Sequence, residues 1–239
     1  MSSFIFGIVA EGPTDYELIT ALINKIIPGD HTFLPIQPEI SETSGFGTNN
    51  GFGTHGAGWK GVLNWCRSIA KNFPSLDSFL TVGDPEIDYL IIHIDADAAR
   101  EPEINCYATC PPSSVTVENI KRHINMCLQE EAGQQKIVYC IPCDNTEAWV
   151  LCAFDKDTTY HNPPISFLEC LQKPDYIICQ PNYNRPNRLL KKKDGKPKKA
   201  VNNYRNNLIP KVLEEWDTIK IICSQAQIFE NDLIISTRH

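Results

Sequence analysis

Six acidic residues lie just beyond three apolar runs. Glu11 and Asp15 follow FIFGIVA, Asp95 and Asp97 follow DYLIIHI, and Asp144 and Glu147 follow KIVYCI. Glu11 and Asp95 each close a long apolar run, where an unpaired charge is costly. The other acids also have plainer readings. Asp15 suits the first turn of a helix, where its charge favours the dipole; Asp144 suits an N-cap; Glu147 suits a helix surface. Carboxylates gathered in one place raise one another's pKa and need a counter-charge. An oxygen-only donor set favours Mg2+, Mn2+ or Ca2+ over zinc. The expected metal ligands are therefore Glu11, Asp15, Asp95, Asp97, Asp144 and Glu147. The expected cofactor is Mg2+ or Mn2+, bound as two ions, a pairing suited to in-line displacement at phosphorus.

A second feature is basic. Arg185 to Lys199 carries eight cationic residues against one acid, Asp194. Arg185, Arg188, Lys191, Lys192, Lys193, Lys196, Lys198 and Lys199 are expected to neutralise backbone phosphates around an acidic centre. The plainer reading is a solvated loop. Tyr183 and Tyr204 are placed to stack on bases. A glycine-rich stretch from Gly45 to Gly61 holds seven of the 13 glycines, with His55 and Lys60 beside it. It reads as a mobile loop, or as backbone that approaches a phosphate; Lys60 joins the nucleic-acid-binding set on the second reading.

The elements that must position these groups are read from periodicity. Phe4–Ala10, Asp88–Ile94 and Lys136–Ile141 are continuous apolar runs, the pattern of strands buried on both faces of a parallel sheet. Gly12 and Pro13 mark a turn. Thr14 and Glu17 form a capping box for a helix carrying Leu18, Ala21, Leu22 and Ile26. Further helices are expected from Trp59 to Lys71, Ser114 to Glu131 and through TEAWVLCAF. Another runs from Val201 to Trp216, interrupted near Pro210, and a last one spans SQAQIFENDLI with Ala226, Phe229, Leu233 and Ile234 inward. Pro28–Pro38 reads as irregular. Alternating strand and helix predicts an α/β fold with a largely parallel sheet, whose ligand site lies outside the carboxyl ends of the strands.

The 239 residues, 42% hydrophobic and 21% charged, suit a globular chain with a full core and exclude wholesale disorder. The net charge of -7 argues against a generally basic nucleic-acid coat, though not against a local basic patch. The first apolar run is broken by Glu11, too early for a signal peptide, and no run approaches the roughly 20 residues of a membrane helix. A cytosolic protein without membrane contact is expected. The ten cysteines then read as reduced and structural. The alternative is a four-thiolate zinc site built from Cys106-x3-Cys110 and Cys140-x2-Cys143.

The segments IVAEGPTDYELI and DYLIIHIDAD resemble the TOPRIM domain, in which a strand-terminal glutamate precedes a glycine and a later strand ends in Asp-x-Asp. The Glu-Gly-x-Thr-Asp form is closest to the OLD-family (overcoming lysogenization defect) nucleases and their small relatives. IPCDNTEAWVL resembles the next acidic motif, with Glu147 as its acid, and CSQAQIFENDL resembles their C-terminal helix. The likeness covers about residues 4–150. It implies a TOPRIM- or Rossmann-like three-layer sandwich: a core over residues 1–160, and an extension over residues 161–239 that packs on it within one domain. It implies two-metal phosphodiester cleavage of DNA or RNA, with Glu11, Asp95 and Asp97 catalytic. It also implies a downstream lysine at the scissile phosphate, sought among Lys191–Lys199, with Lys191 and Lys193 as candidates. No Walker A motif is present, so a separate ATPase partner and an anti-phage setting are further implications. Two other readings compete. One is Mg-dependent phosphoryl transfer on a small molecule, with Asp95 as nucleophile. The other is a non-catalytic subunit that binds nucleic acid or a partner.

Overall fold

The computed structural model describes residues 3–38, 54–130, 135–155, 167–181 and 187–238. The three apolar runs form strands β1 (Ile5–Val9), β3 (Tyr89–His93) and β4 (Ile137–Cys140). They join β2 (Thr32–Gln37) in an all-parallel sheet of order β2-β1-β3-β4. Neighbouring residues of each strand point to opposite faces, and each face has its own core. Phe6, Ile8, Ile91 and Val138 face one cluster; Val9, Leu90, Ile92 and Ile137 face the other. Helices cover both, giving a three-layer α/β sandwich.

The first face is covered by α1 (Pro13–Ile26), α5 (Glu147–Phe154), the short α6 (Pro174–Ile178) and the C-terminal helices α8 (Ile209–Glu214), α9 (Trp216–Ile222) and α10 (Ser224–Ser236). At its centre Trp149 meets Trp216 edge to face, with ring centroids 5.5 Å apart. The second face is covered by α2 (Gly58–Asn72), α3 (Leu76–Thr81) and α4 (Ser114–Leu128). Ala226, Phe229 and Leu233 of α10 are buried as expected, and Ile234 is half-buried.

Several local expectations are corrected. Residues 32–37 are not irregular: they form β2, and Pro35 sits opposite Ile8 at the sheet edge, where its missing N–H is tolerated. Helix α1 starts at Pro13, with Gly12 as N-cap and no side-chain capping bond. Proline's fixed φ suits the first helical position, so Thr14 is already inside the helix, and Glu17 pairs with Arg205 at 2.6 Å. The lysine run is not a loop throughout. Strands β5 (Lys191–Lys193) and β6 (Lys196–Lys198) form an antiparallel hairpin. Asp194 (φ 52°) and Gly195 (φ 77°) turn it, the left-handed pair that a two-residue hairpin turn demands. The following helix is broken as expected near Pro210, by a π-helical turn at Tyr204–Leu208 between α7 (Val201–Asn203) and α8.

Cys110 is joined to Cys170 in a disulfide, so it takes no part in a zinc site and is not a reduced thiol. Cys140 and Cys143 are buried free thiols, and Cys106 is half-buried. Among the described residues, no helix is long and apolar enough to cross a membrane. Gly45–Gly53, Tyr183, Arg185 and the 160/161 boundary lie outside the described residues.

Candidate active site

The order β2-β1-β3-β4 places the chain's reversal point between β1 and β3, where an open parallel sheet leaves a crevice at its carboxyl end. Glu11 and Asp95 leave those two strands side by side. A Glu11 Oε1 accepts a hydrogen bond from the Asp95 backbone N–H at 2.8 Å. Asp95 Oδ1 in turn accepts from the Thr146 N–H at 3.1 Å, at the start of α5. The Thr146 hydroxyl donates to Asp15 Oδ1 at 2.9 Å, from the first turn of α1. Glu147, the first residue of α5, is fully buried and accepts from the Tyr204 hydroxyl. Three strand ends and two helix starts thus bring Glu11, Asp15, Asp95 and Glu147 to one place.

Two cations answer these acids. Lys199 Nζ stands 2.8 Å from Glu147 Oε2. Burial pulls its pKa down, but Glu147, Asp15 and Asp95 outweigh that and hold it well above an ordinary lysine. His93 is fully buried, with Nε2 3.3 Å from Asp95 Oδ1. Burial disfavours its charge, yet Asp15, Asp95 and Glu11 push its pKa up to about 9. The acids respond in kind. Burial, with Asp95 and Asp15 nearby, holds Glu11 well above the usual carboxylate range. Burial also raises Glu147, against the pull of Lys199. Asp95 is buried too, but the His93 contact, Lys199 and the Thr146 N–H bring it below its ordinary value.

The second pair of acids divides. Asp97 lies in a 3-10 turn, Ala96–Arg100, tied to the third strand end by its N–H to the Asp144 carbonyl at 2.9 Å. Burial first, then Asp95 and Asp144, push its carboxyl up to about 7. Asp144 is committed elsewhere: Arg100 pairs with one carboxylate oxygen and the Lys173 N–H donates to the other at 3.0 Å. It is neither the N-cap of α5 nor an open ligand. Thr146 is the N-cap residue, and the Glu147 N–H is met by Asn145 Oδ1 at 3.2 Å.

The lysine at the acids is Lys199. Lys191, Lys192 and Lys193 stand exposed on β5, and Lys196 and Lys198 stand exposed on β6. Strand alternation sends the residue after Lys198 to the other side, and that side is the acid cluster. Tyr204 is fully buried against Glu147 and is unable to stack on bases. Lys60 is exposed and pairs with the equally exposed Glu103 at 2.7 Å. The described end of the glycine-rich stretch does reach the site. Gly58 (φ 65°) donates its N–H to the Glu11 carbonyl at 3.0 Å, and a Cβ there would meet Glu11 Oε2 at 3.6 Å. His93 and Thr146 are site residues that no motif marks, and Tyr204 holds Glu147 where base stacking was expected of it. His93 had one signal, a titratable ring inside an otherwise apolar strand two residues before an acid.

Among the described residues, no group of three or more His, Cys, Asp or Glu side chains is placed so that it could hold a metal ion. The donor chemistry nevertheless suits a hard dication, since Glu11, Asp15, Asp95 and Glu147 present only oxygens. No family model, curated protein or solved structure matches this chain. The likeness to TOPRIM and OLD-family proteins therefore rests on the motif residues themselves.

Proposed function

We propose that this chain is a divalent-metal-dependent nuclease that cleaves phosphodiester bonds in DNA or RNA. The observation that carries the reading is the convergence of Glu11, Asp15, Asp95 and Glu147 at the β1/β3 crevice, linked through the Glu11–Asp95 and Asp95–Thr146 hydrogen bonds. Glu11, Asp15, Asp95 and Glu147 would hold Mg2+ or Mn2+, with Asp97 beside them. When bound, such ions lower the pKa of water and offset charge on the attacking and leaving oxygens of an in-line displacement.

The chain's own residues have distinct tasks in this reading. The Thr146 N–H and hydroxyl fix the rotamers of Asp95 and Asp15. Asp97, with a pKa of about 7, exchanges a proton near neutral pH. Lys199 is the cation nearest the acids and the natural partner for a non-bridging phosphate oxygen. The hairpin lysines, clear of the acids, neutralise flanking phosphates.

The test is cleavage of labelled DNA and RNA, single- and double-stranded, with Mg2+ or Mn2+ against EDTA. Cleavage is expected only with metal, and is expected to fall at least a hundredfold in Glu11→Ala and Asp95→Ala variants that keep their circular dichroism. Undiminished cleavage by the folded double variant overturns the assignment.

A further inference from the structure

Beside the acid site lies a second concavity, an open groove of about 890 Å3 lined by the hairpin and by the helical segment that follows it. Its lining is unusual in chemistry. Four asparagines come from one short stretch, VNNYRNNL: Asn202, Asn203, Asn206 and Asn207. They form two pairs four residues apart, and the π turn at Tyr204–Leu208 sets both pairs on the groove side while Tyr204 and Leu208 point into the core. π turns inside helices recur at functional sites. Asn203 is braced, donating to the Leu189 carbonyl at 3.0 Å and accepting from Asn207 at 3.0 Å. Asn202 and Asn206 are exposed and make no side-chain hydrogen bond among the described residues. Arg188, Lys191 and Lys198 line the same groove and form no ion pair among the described residues.

We propose that this groove holds unpaired nucleotides of a polynucleotide, with its asparagine amides on base edges and Arg188, Lys191 and Lys198 on the phosphates. The inference rests on the nuclease reading and extends it to the form of substrate. An amide carries donors and an acceptor together, and both are used only by a partner that also donates and accepts, as the edge of a base does and a phosphate does not. Base edges are open to such contacts when the strand is unpaired and splayed. The volume lies within the roughly 300–1,000 Å3 of sites that take organic ligands. A few unpaired nucleotides fit it, whereas a duplex does not enter. The groove and the acid site share a wall. Lys198 and Ala200 face the groove while Lys199 between them reaches Glu147. Asn203 faces it while the next residue, Tyr204, bonds Glu147. The groove and the acids are thus the two sides of one stretch of backbone, and a strand held in the groove lies next to the acids across it.

The experiment is fluorescence anisotropy with the full chain in EDTA, using labelled single-stranded DNA, single-stranded RNA and a DNA duplex of the same sequence. At least one unpaired strand is expected to bind tenfold or more tighter than the duplex, and the two single-stranded arms decide between DNA and RNA. Asn202→Ala with Asn206→Ala is expected to cost about tenfold on that strand and to leave duplex binding unchanged. Lys191→Gln with Lys198→Gln is expected to weaken every probe and to flatten the salt dependence by about 0.7 per lost phosphate contact on single strands and about 0.9 on the duplex. All four positions are on the surface, so folding is expected to survive; Arg188→Gln gives an independent check of the phosphate side. Equal binding of duplex and single strands, no binding of any probe, or unchanged binding by the asparagine variant overturns the proposal. The two readings fail separately. Asparagine-dependent strand binding with no cleavage in Mg2+ or Mn2+ sinks the nuclease and keeps the groove. Metal-dependent cleavage with wild-type strand binding in the asparagine variant sinks the groove and keeps the nuclease.

Discussion

Replacing Lys199 by methionine removes the ammonium from the acid cluster while keeping most of the side chain's bulk. At the 2.8 Å Lys199–Glu147 separation, two unit charges attract with about 6 kcal/mol at an effective dielectric constant of about 20. Much of that is offset by desolvation, and truncating one partner of a buried pair costs about 3–5 kcal/mol. Lys199 keeps 31% of its side-chain exposure, so solvent screening puts the expected loss lower, at about 2–3 kcal/mol. For a chain of this size each kcal/mol moves the melting point by about 2–4 °C, giving a fall of about 4–12 °C. The sign of the pH dependence follows from Glu147. Its folded-state pKa is already raised by burial, and losing Lys199 raises it further. A raised carboxyl keeps its stability below the unfolded pKa and loses it as pH rises through the folded value. The deficit of Lys199→Met relative to the parent should therefore be small at pH 5 and full at pH 8. Thermal melts followed by circular dichroism in EDTA at the two pH values measure it. An equal deficit at both, or none at either, refutes the idea that this lysine neutralises the cluster.

Asp97, with its carboxyl pushed up to about 7, makes the metal-free protein lose stability as pH rises through neutrality; Asp97→Asn should flatten the change in melting point between pH 6 and pH 8, and an unchanged slope counts against the assignment. Gly61→Ala puts a methyl group 2.6 Å from Gln37 Nε2 and against the Gly56 carbonyl; urea unfolding should show a loss of about 1–3 kcal/mol, and parental stability would mean that this turn gives way. Trp149→Ala empties a fully buried site packed on Trp216; the expected cost by the same method is about 3–5 kcal/mol, and a loss under 1 kcal/mol would place the core elsewhere.

The strands that carry the acids were legible because burial on both faces leaves an uninterrupted apolar run, as in Phe6–Ala10 and Leu90–Ile94. Strand β2 was not, because an edge strand tolerates Pro35 and needs no such run. The hairpin's turn is written in Asp194-Gly195, inside a run whose lysines make charge the stronger local pattern. Which lysine meets the acids depends on the hairpin's register, and only after the turn is placed does Lys199 separate from Lys191 and Lys193. Tyr204 reads as an available aromatic until its spacing to Leu208 is taken as the inner face of a helix. The convergence of Glu11 with Asp95 was legible from strand ends alone, whereas the diversion of Asp144 to Arg100 depends on a partner 44 residues away that no local pattern reveals.

Lys199 follows directly on the last residue of β6, so the acids own a captive electrolyte. A free ion departs on dilution or chelation; this one is leashed by the peptide chain and departs only when the ribbon itself shifts. On the nuclease reading proposed above, an incoming dication must out-compete a tethered monocation, which sets a concentration threshold that sodium or potassium, offering no more charge than the ammonium, gains little by meeting.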